Sequence, residues 1–245
     1  MWSKKQIEDH RTAARSLVKI KDLTFEYIRK NDDVTEYDVQ QFIIKKFDEF
    51  GIHSDKYPPI VSFDTDTSIP EFYPKKDSKR LEKGNLIMIE LWAKLNNKDA
   101  PFADITWLAY QGKKIPTKIQ KVFNTAITAR DDALEYIRKE LHDGNIPTGI
   151  DVDKIVRDVI IDAGFEKNIL HETGHSIGII EDHGPKPDWI YWENFSRLNK
   201  NLAYTIEPGI YLKDEFGVRV EMDFYISDGN KLIITTELQK KIIIV

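Results

Sequence analysis

Two pairs of acids set inside apolar strands constrain this chain more than any other feature. Residues 85–110 and 202–226 each read as strand, turn, strand, and together they form a weak internal repeat. Glu90 interrupts LIMIELWAKL and Asp104 interrupts FADITW. Glu207 interrupts AYTIEPGIYL and Glu221 interrupts VRVEMDFYI. Each pair is 14 residues apart. An unpaired buried carboxylate costs several kcal/mol, so such a group turns to solvent, takes up a proton or finds a cation. One acid of this kind reads as a solvent-facing strand position. Four on two similar hairpins weaken that reading, because hairpin partners can share a face and converge. Convergent carboxylates repel, and oxygen-rich sites favour divalent cations.

The rest of the pattern alternates helix and strand. Residues 4–30 repeat apolar side chains at helical spacing, from Ile7 through Leu17 to Ile28. A Thr35-x-x-Asp38 capping pattern opens a second helix that Gly51 stops. Pro58, Pro59, Pro70 and Pro74 mark 57–74 as loop around a short IVSF strand. A long helix is expected from Thr117 to His142, and Asp151 is expected to cap another that stops at Gly164. After it the chain turns β-rich, with IGII as its first strand. Neither a composition break nor a flexible linker divides residues 1–245, so one α+β domain is expected.

Histidines sharpen the chemistry. His171, His175 and His183 fall within the glycine-punctuated stretch HETGHSIGIIEDHGP, half of the six in the chain. Three together suggest metal or proton work. HETGH also matches the H-E-x-x-H zinc-protease pattern. That pattern needs both histidines on one helical face, and Gly174 and Gly178 make a poor helix. It also leaves the four strand acids without a role.

Composition excludes several alternatives. With no cysteine, the chain has no disulfide, thiolate zinc site or cysteine nucleophile, which suits a cytoplasmic location. The net charge of −5 argues against a nucleic-acid partner. Apolar runs are only a few residues long, so no membrane association through a spanning helix is expected. The N-terminal MWSKKQIEDHRTAARS lacks the apolar core of a signal peptide.

LWAKL, ADITW, TGHSIG, TIEPGIYL and GVRVEMD, in this order and spacing, resemble the M24 metallopeptidases. These are the pita-bread enzymes: methionine aminopeptidase, Xaa-Pro aminopeptidase, prolidase and creatinase, with the Xaa-Pro branch nearest. The likeness runs from about residue 5 onward and covers the catalytic domain, without the extra N-terminal domain of the larger Xaa-Pro enzymes. It implies an α+β pita-bread fold, two pseudo-symmetric halves with a curved, mainly antiparallel sheet covered by helices. It implies two divalent metal ions (Mn, Co, Zn or Fe), a peptide substrate, and an aminopeptidase or dipeptidase reaction; a homodimer is compatible with it. Carried over one at a time, Asp104 matches the bridging aspartate, His175 the histidine ligand and Glu221 the bridging glutamate. Glu207 matches a ligand that also acts as general acid and base. Glu90 stands where the fifth ligand is normally aspartate. His171 and His183 match substrate-contacting, catalytic histidines.

Three departures accompany the match. Glutamate replaces aspartate at 90. Glu71, in Pro70-Glu71-Phe72-Tyr73-Pro74, stands where a histidine is usual and reads as a solvated loop acid. Seven residues after His175 the chain has Asp182, and the His183-Gly184 pair follows one residue late. These departures motivate a second reading, a fold relative that binds rather than cleaves, or a non-peptidase C–N hydrolase.

Overall fold

A computed structural model describes residues 1–31 and 33–245. Helix α1 (Lys4–Lys30) starts at a Ser3 capping box completed by Gln6. Helix α2 (Glu36–Phe50) starts at the Thr35–Asp38 box and ends on Gly51, whose φ of +66° lies where only glycine is comfortable. Strands β1 (Ile52–His53) and β2 (Ile60–Phe63) lead into the long pair β3 (Leu86–Leu95) and β4 (Ala103–Tyr110). Helices α3 (Thr117–His142) and α4 (Gly149–Asp162) follow. The chain closes with β5 (Ala203–Ile206), β6 (Gly209–Leu212), β7 (Phe216–Arg219), β8 (Met222–Ile226), β9 (Leu232–Ile234) and β10 (Ile243–Ile244).

Two expectations need correction. The cap of α4 is Thr148, with Asp151 three residues in and reaching back to the Thr148 N–H at 3.2 Å. The pattern is the same Thr-x-x-Asp box as in α2, so the cap lies three residues earlier than the acid alone suggests. The stretch IGII is not a strand. Ile177 makes an isolated bridge with His183, and Gly178 N–H donates to the Asp182 carbonyl at 2.6 Å, closing a tight loop.

The halves repeat one plan: two helices, then a hairpin that lays one face on them. Ala13, Leu17, Ile20, Val39 and Ile43 pack on Ile87, Ile89, Leu91 and Ile105. Val122, Phe123, Leu134, Val152 and Val156 join Ile206, Ile210, Val218 and Phe224. Each fully buried aliphatic side chain contributes about 1.5–3 kcal/mol, so these stripes hold the helices on the sheet. All strand pairings are antiparallel except β10 on β4. The halves are joined where β4 meets the β7–β8 segment. Asp104 N–H donates to Asp223 Oδ2 at 2.9 Å, and Glu221 N–H to the Thr106 carbonyl at 3.4 Å. That seam puts the acid-bearing faces of both hairpins beside each other.

Candidate metal centre

The β3–β4 ladder is unbroken from Leu86↔Tyr110 to Ala93↔Ala103. It opposes Glu90 to Thr106 and Trp92 to Asp104. All four share one face by strand alternation, and Glu90, Trp92 and Asp104 line a cleft of about 250 Å³. In the second half the ladder stops after Ile206↔Met222 and resumes at Gly209↔Arg219. Pro208, without an N–H, sits in the break. Glu207 N–H instead donates to the Thr173 carbonyl at 2.8 Å. Glu207 and Glu221 therefore stand at joints between short strands.

The ligand atoms of Asp104, His175 and Glu221 all lie within 4.8 Å of one another. Glu207 Oε1 is 3.5 Å from His175 Nε2. The His175 Nδ1–H donates to the Ser176 carbonyl at 3.0 Å, which leaves Nε2 as the nitrogen that faces the acids. Burial holds the His175 imidazole neutral by pushing its pKa well down, the state in which imidazole ligates. A pair of threonines supports the glutamates. Thr106 Oγ1 donates to Glu221 Oε2 at 2.7 Å, and Thr205 Oγ1 to Glu207 Oε1 at 3.1 Å. Thr205 Oγ1 also accepts the His175 N–H at 3.0 Å.

Burial, followed by the charge of Glu221, raises the pKa of both Asp104 and Glu207 well above the carboxylate range. Glu221 is raised by burial and partly relieved by the Arg219 charge. Asp104 Oδ1 and Glu221 Oε1 are buried and have no hydrogen-bond partner. Carboxylates in this condition lack positive charge, and an oxygen-rich set with one imidazole fits a divalent cation.

Glu90 opens on the same cleft, yet its carboxylate pairs with the buried guanidinium of Arg219. Arg219 is anchored by Nε to Thr106 Oγ1 at 3.2 Å and Nη1 to Tyr211 Oη at 3.3 Å. The extra methylene of glutamate lets residue 90 reach this cation. His171 lines the cleft with both ring nitrogens engaged: Nδ1 with the Glu172 carbonyl at 2.7 Å, Nε2 with Tyr211 Oη at 2.8 Å. His183 is half exposed and stacks on His175 with ring centroids 3.8 Å apart. His171 and His175 lie on irregular backbone joined by isolated bridges, so the zinc-protease pattern lacks its helix. Glu71 is exposed at the cleft mouth, beside Tyr73, whose pKa burial and then the Glu71 charge push up to about 12.

Four residues at the site escaped the sequence reading. Asp223 and the two threonines, Thr106 and Thr205, carry no signal beyond strand alternation. The buried role of Arg219 is hidden because arginine in a strand usually reads as solvent-facing. A larger, open groove of about 600 Å³ beside α3 and α4 is lined by no acid or histidine.

Comparisons with known proteins bear on the family and the fold. The sequence profile of metallopeptidase family M24 matches residues 8–228. An uncharacterized peptidase of Staphylococcus haemolyticus is 28% identical over 94% of this chain and 61% of its own length. The crystal structure of an X-Pro aminopeptidase from Thermotoga maritima superposes with a TM-score of 0.86 at 26% identity, covering all of this chain and 64% of that one. A recombinant prolidase from Thermococcus sibiricus gives the same TM-score and identity, covering 100% of this chain and 62% of that one. The fold is therefore the pita-bread fold of these enzymes. The chain spans about three-fifths of the length of these relatives.

Proposed function

The chain belongs to metallopeptidase family M24, and from that premise we propose that it hydrolyses a peptide bond next to the substrate N-terminus, with Xaa-Pro as the favoured bond. The observation that carries this reading is the meeting of Asp104 from one half with His175, Glu207 and Glu221 from the other, around buried oxygens that lack partners. Asp104, His175, Glu207 and Glu221 would hold divalent metal, two ions in the full site. When bound, such ions supply an acidified water and a polarised carbonyl.

The chain's own groups do the rest. Glu207, raised in pKa by burial, accepts the proton of the attacking water and returns it to the leaving amine. His183, open to the cleft, donates a hydrogen bond to the oxyanion that forms on the carbonyl oxygen. His171 holds Tyr211 in place through Nε2. Trp92, Tyr57 and Tyr73 wall the cleft and exclude water from the bond being cut. The 1–245 span works as one catalytic domain in a cytoplasmic setting, as a monomer or homodimer. No helix among the described residues is long and apolar enough to cross a membrane.

The pairing of Glu90 with Arg219 favours one second reading, a binding protein that has lost hydrolysis. Incubation of the Mn²⁺- or Co²⁺-loaded chain with Xaa-Pro dipeptides and longer Xaa-Pro peptides separates the two. Release of the N-terminal residue, abolished by chelator and restored by metal, is the expected result. Saturable peptide binding without product under every metal tested would establish the second reading.

A further inference from the structure

We propose that Asp182 is a ligand of the metal centre and takes the place that Glu90 has given up to Arg219. The inference rests on the proposed metal centre and adds a residue to it. Asp182 lies in the tight loop that follows His175, and its side chain is only 5% exposed. Its Oδ2 is 3.8 Å from His175 Nε2 and 3.8 Å from His183 Nε2. Ligand atoms of His175, Asp182 and His183 all lie within 4.8 Å of one another. Donors that share one ion, each roughly 2.0–2.2 Å from it, sit about 3–4 Å apart. Asp182 meets that spacing without rearrangement of the backbone.

The second, independent observation is an orphaned atom. Asp182 Oδ1 is buried and has no hydrogen-bond partner. No lysine or arginine pairs with Asp182 among the described residues; its ion-pair neighbours are the two imidazoles. Glu90, an acid of the same cleft, differs in having a guanidinium, that of Arg219, against its carboxylate. A carboxylate satisfied by a buried guanidinium has little to gain from a metal. One without a partner has much to gain.

The backbone around Asp182 is built to aim it inward. Gly178 N–H donates to the Asp182 carbonyl at 2.6 Å. A Cβ at Gly178 would lie 2.0 Å from the Glu181 carbonyl oxygen, so only glycine lets the loop close this tightly. The Asp182 N–H donates to Asp55 Oδ2 at 3.3 Å, and Asp55 Oδ1 accepts the Trp92 indole N–H at 3.0 Å. Asp55 thus ties the loop to the face of β3. Successive side chains of the loop then point to opposite sides: Glu181 to the rim, where it meets Lys56 at 3.1 Å, and Asp182 to the acids.

The test is calorimetric titration of Mn²⁺ into the chelator-stripped full chain, with thermal unfolding of each metal-free variant as a control for folding. Wild type, Asp182→Asn, and the double variant Glu90→Gln/Arg219→Gln are compared. The double variant removes both charges of the buried pair, so neither is left alone. Asp182→Asn is expected to lose one ion per chain or weaken it at least tenfold, while its metal-free form melts no lower than wild type because a like charge has gone. The double variant is expected to keep the wild-type stoichiometry, whatever the loss of the Arg219 charge beside Glu221 does to affinity. Unchanged binding by Asp182→Asn overturns the proposal. So does loss of an ion in the double variant, which would return Glu90 to the ligand set. If wild type itself binds no metal, the metal centre fails and Asp182 as ligand fails with it; a wild type that binds metal while Asp182→Asn binds it equally well sinks Asp182 alone.

Discussion

The two hairpins carry acids at the same spacing but deliver them differently. In the first, Glu90 lies inside an unbroken ladder, so its backbone is fixed and only side-chain length selects its partner. In the second, the ladder breaks at Pro208, and the joints aim Glu207 and Glu221 at His175 and Asp104. A ladder break commits the backbone to a site. An acid in a continuous strand is free to be recruited by a neighbouring cation, and Arg219 recruits Glu90. Sequence repeats of equal spacing therefore do not guarantee equal chemistry.

The sharpest way to break this comparison is to remove one acid from each half. Glu207→Gln keeps the fold and is expected to lower any hydrolysis by ~10²–10⁴-fold, the usual cost of a missing general base. Steady-state rates on a peptide that wild type cleaves, at saturating Mn²⁺, measure it. Glu71→Gln, at the exposed cleft mouth, is expected to change the rate less than about twofold. Near-wild-type turnover by Glu207→Gln would remove it from the proton-transfer role.

Glu90→Gln tests the other half through stability. It takes the Glu90 anion from the buried Arg219 guanidinium, and breaking such a buried pair costs about 3–5 kcal/mol. Urea unfolding of the metal-free protein reads this. Addition of Arg219→Gln is expected to recover most of the loss. A Glu90→Gln variant as stable as wild type would mean that the pair does not form.

A third prediction concerns the joint between halves. Helix α1 of the first half sends His10 into the seam. Its Nδ1 meets the Phe102 carbonyl at 2.7 Å and Nε2 meets Thr235 Oγ1 at 2.8 Å. Burial pushes the His10 pKa down from 6.5 to about 4. The unfolded chain binds the proton first, so stability present above about pH 6.5 is lost as pH falls toward 4. The full difference is about 3 kcal/mol. Urea unfolding of wild type across this window is expected to show that much more loss than His10→Gln. Parallel curves for the two proteins would refute a buried neutral His10.

Much of this was legible in the residues. α1, the long β3–β4 pair and α3 follow from periodicity, because their apolar spacing has one reading. The Thr35 box and Gly51 stop were legible for the same local reason. The start of α4 was not, since both Thr148 and Asp151 are good caps and only backbone geometry ranks them. Asp104, His175, Glu207 and Glu221 were legible as acids and an imidazole out of place in apolar or glycine-rich surroundings. The destination of Glu90 was not, because it depends on an arginine 129 residues away. Nor was the inward turn of Asp182, which the Gly178 loop and its tie to Asp55 create.

The smallest effect tests whether the halves are equivalent where chemistry does not intervene. Thr35→Ala and Thr148→Ala each remove the side chain of a Thr-x-x-Asp box at the start of the second helix of a half. Each is expected to cost about 1 kcal/mol in urea unfolding. A difference above about 1 kcal/mol would show that the caps are not equivalent.

The central claim is that acids from both halves share one metal centre. It is tested most directly by titrating Mn²⁺ into chelator-stripped wild type and into Asp104→Asn and Glu221→Gln, one variant from each half. The account predicts two ions per chain in wild type, and loss of at least one in both variants. Metal binding that survives both substitutions, or that depends on residues of one half only, would contradict it.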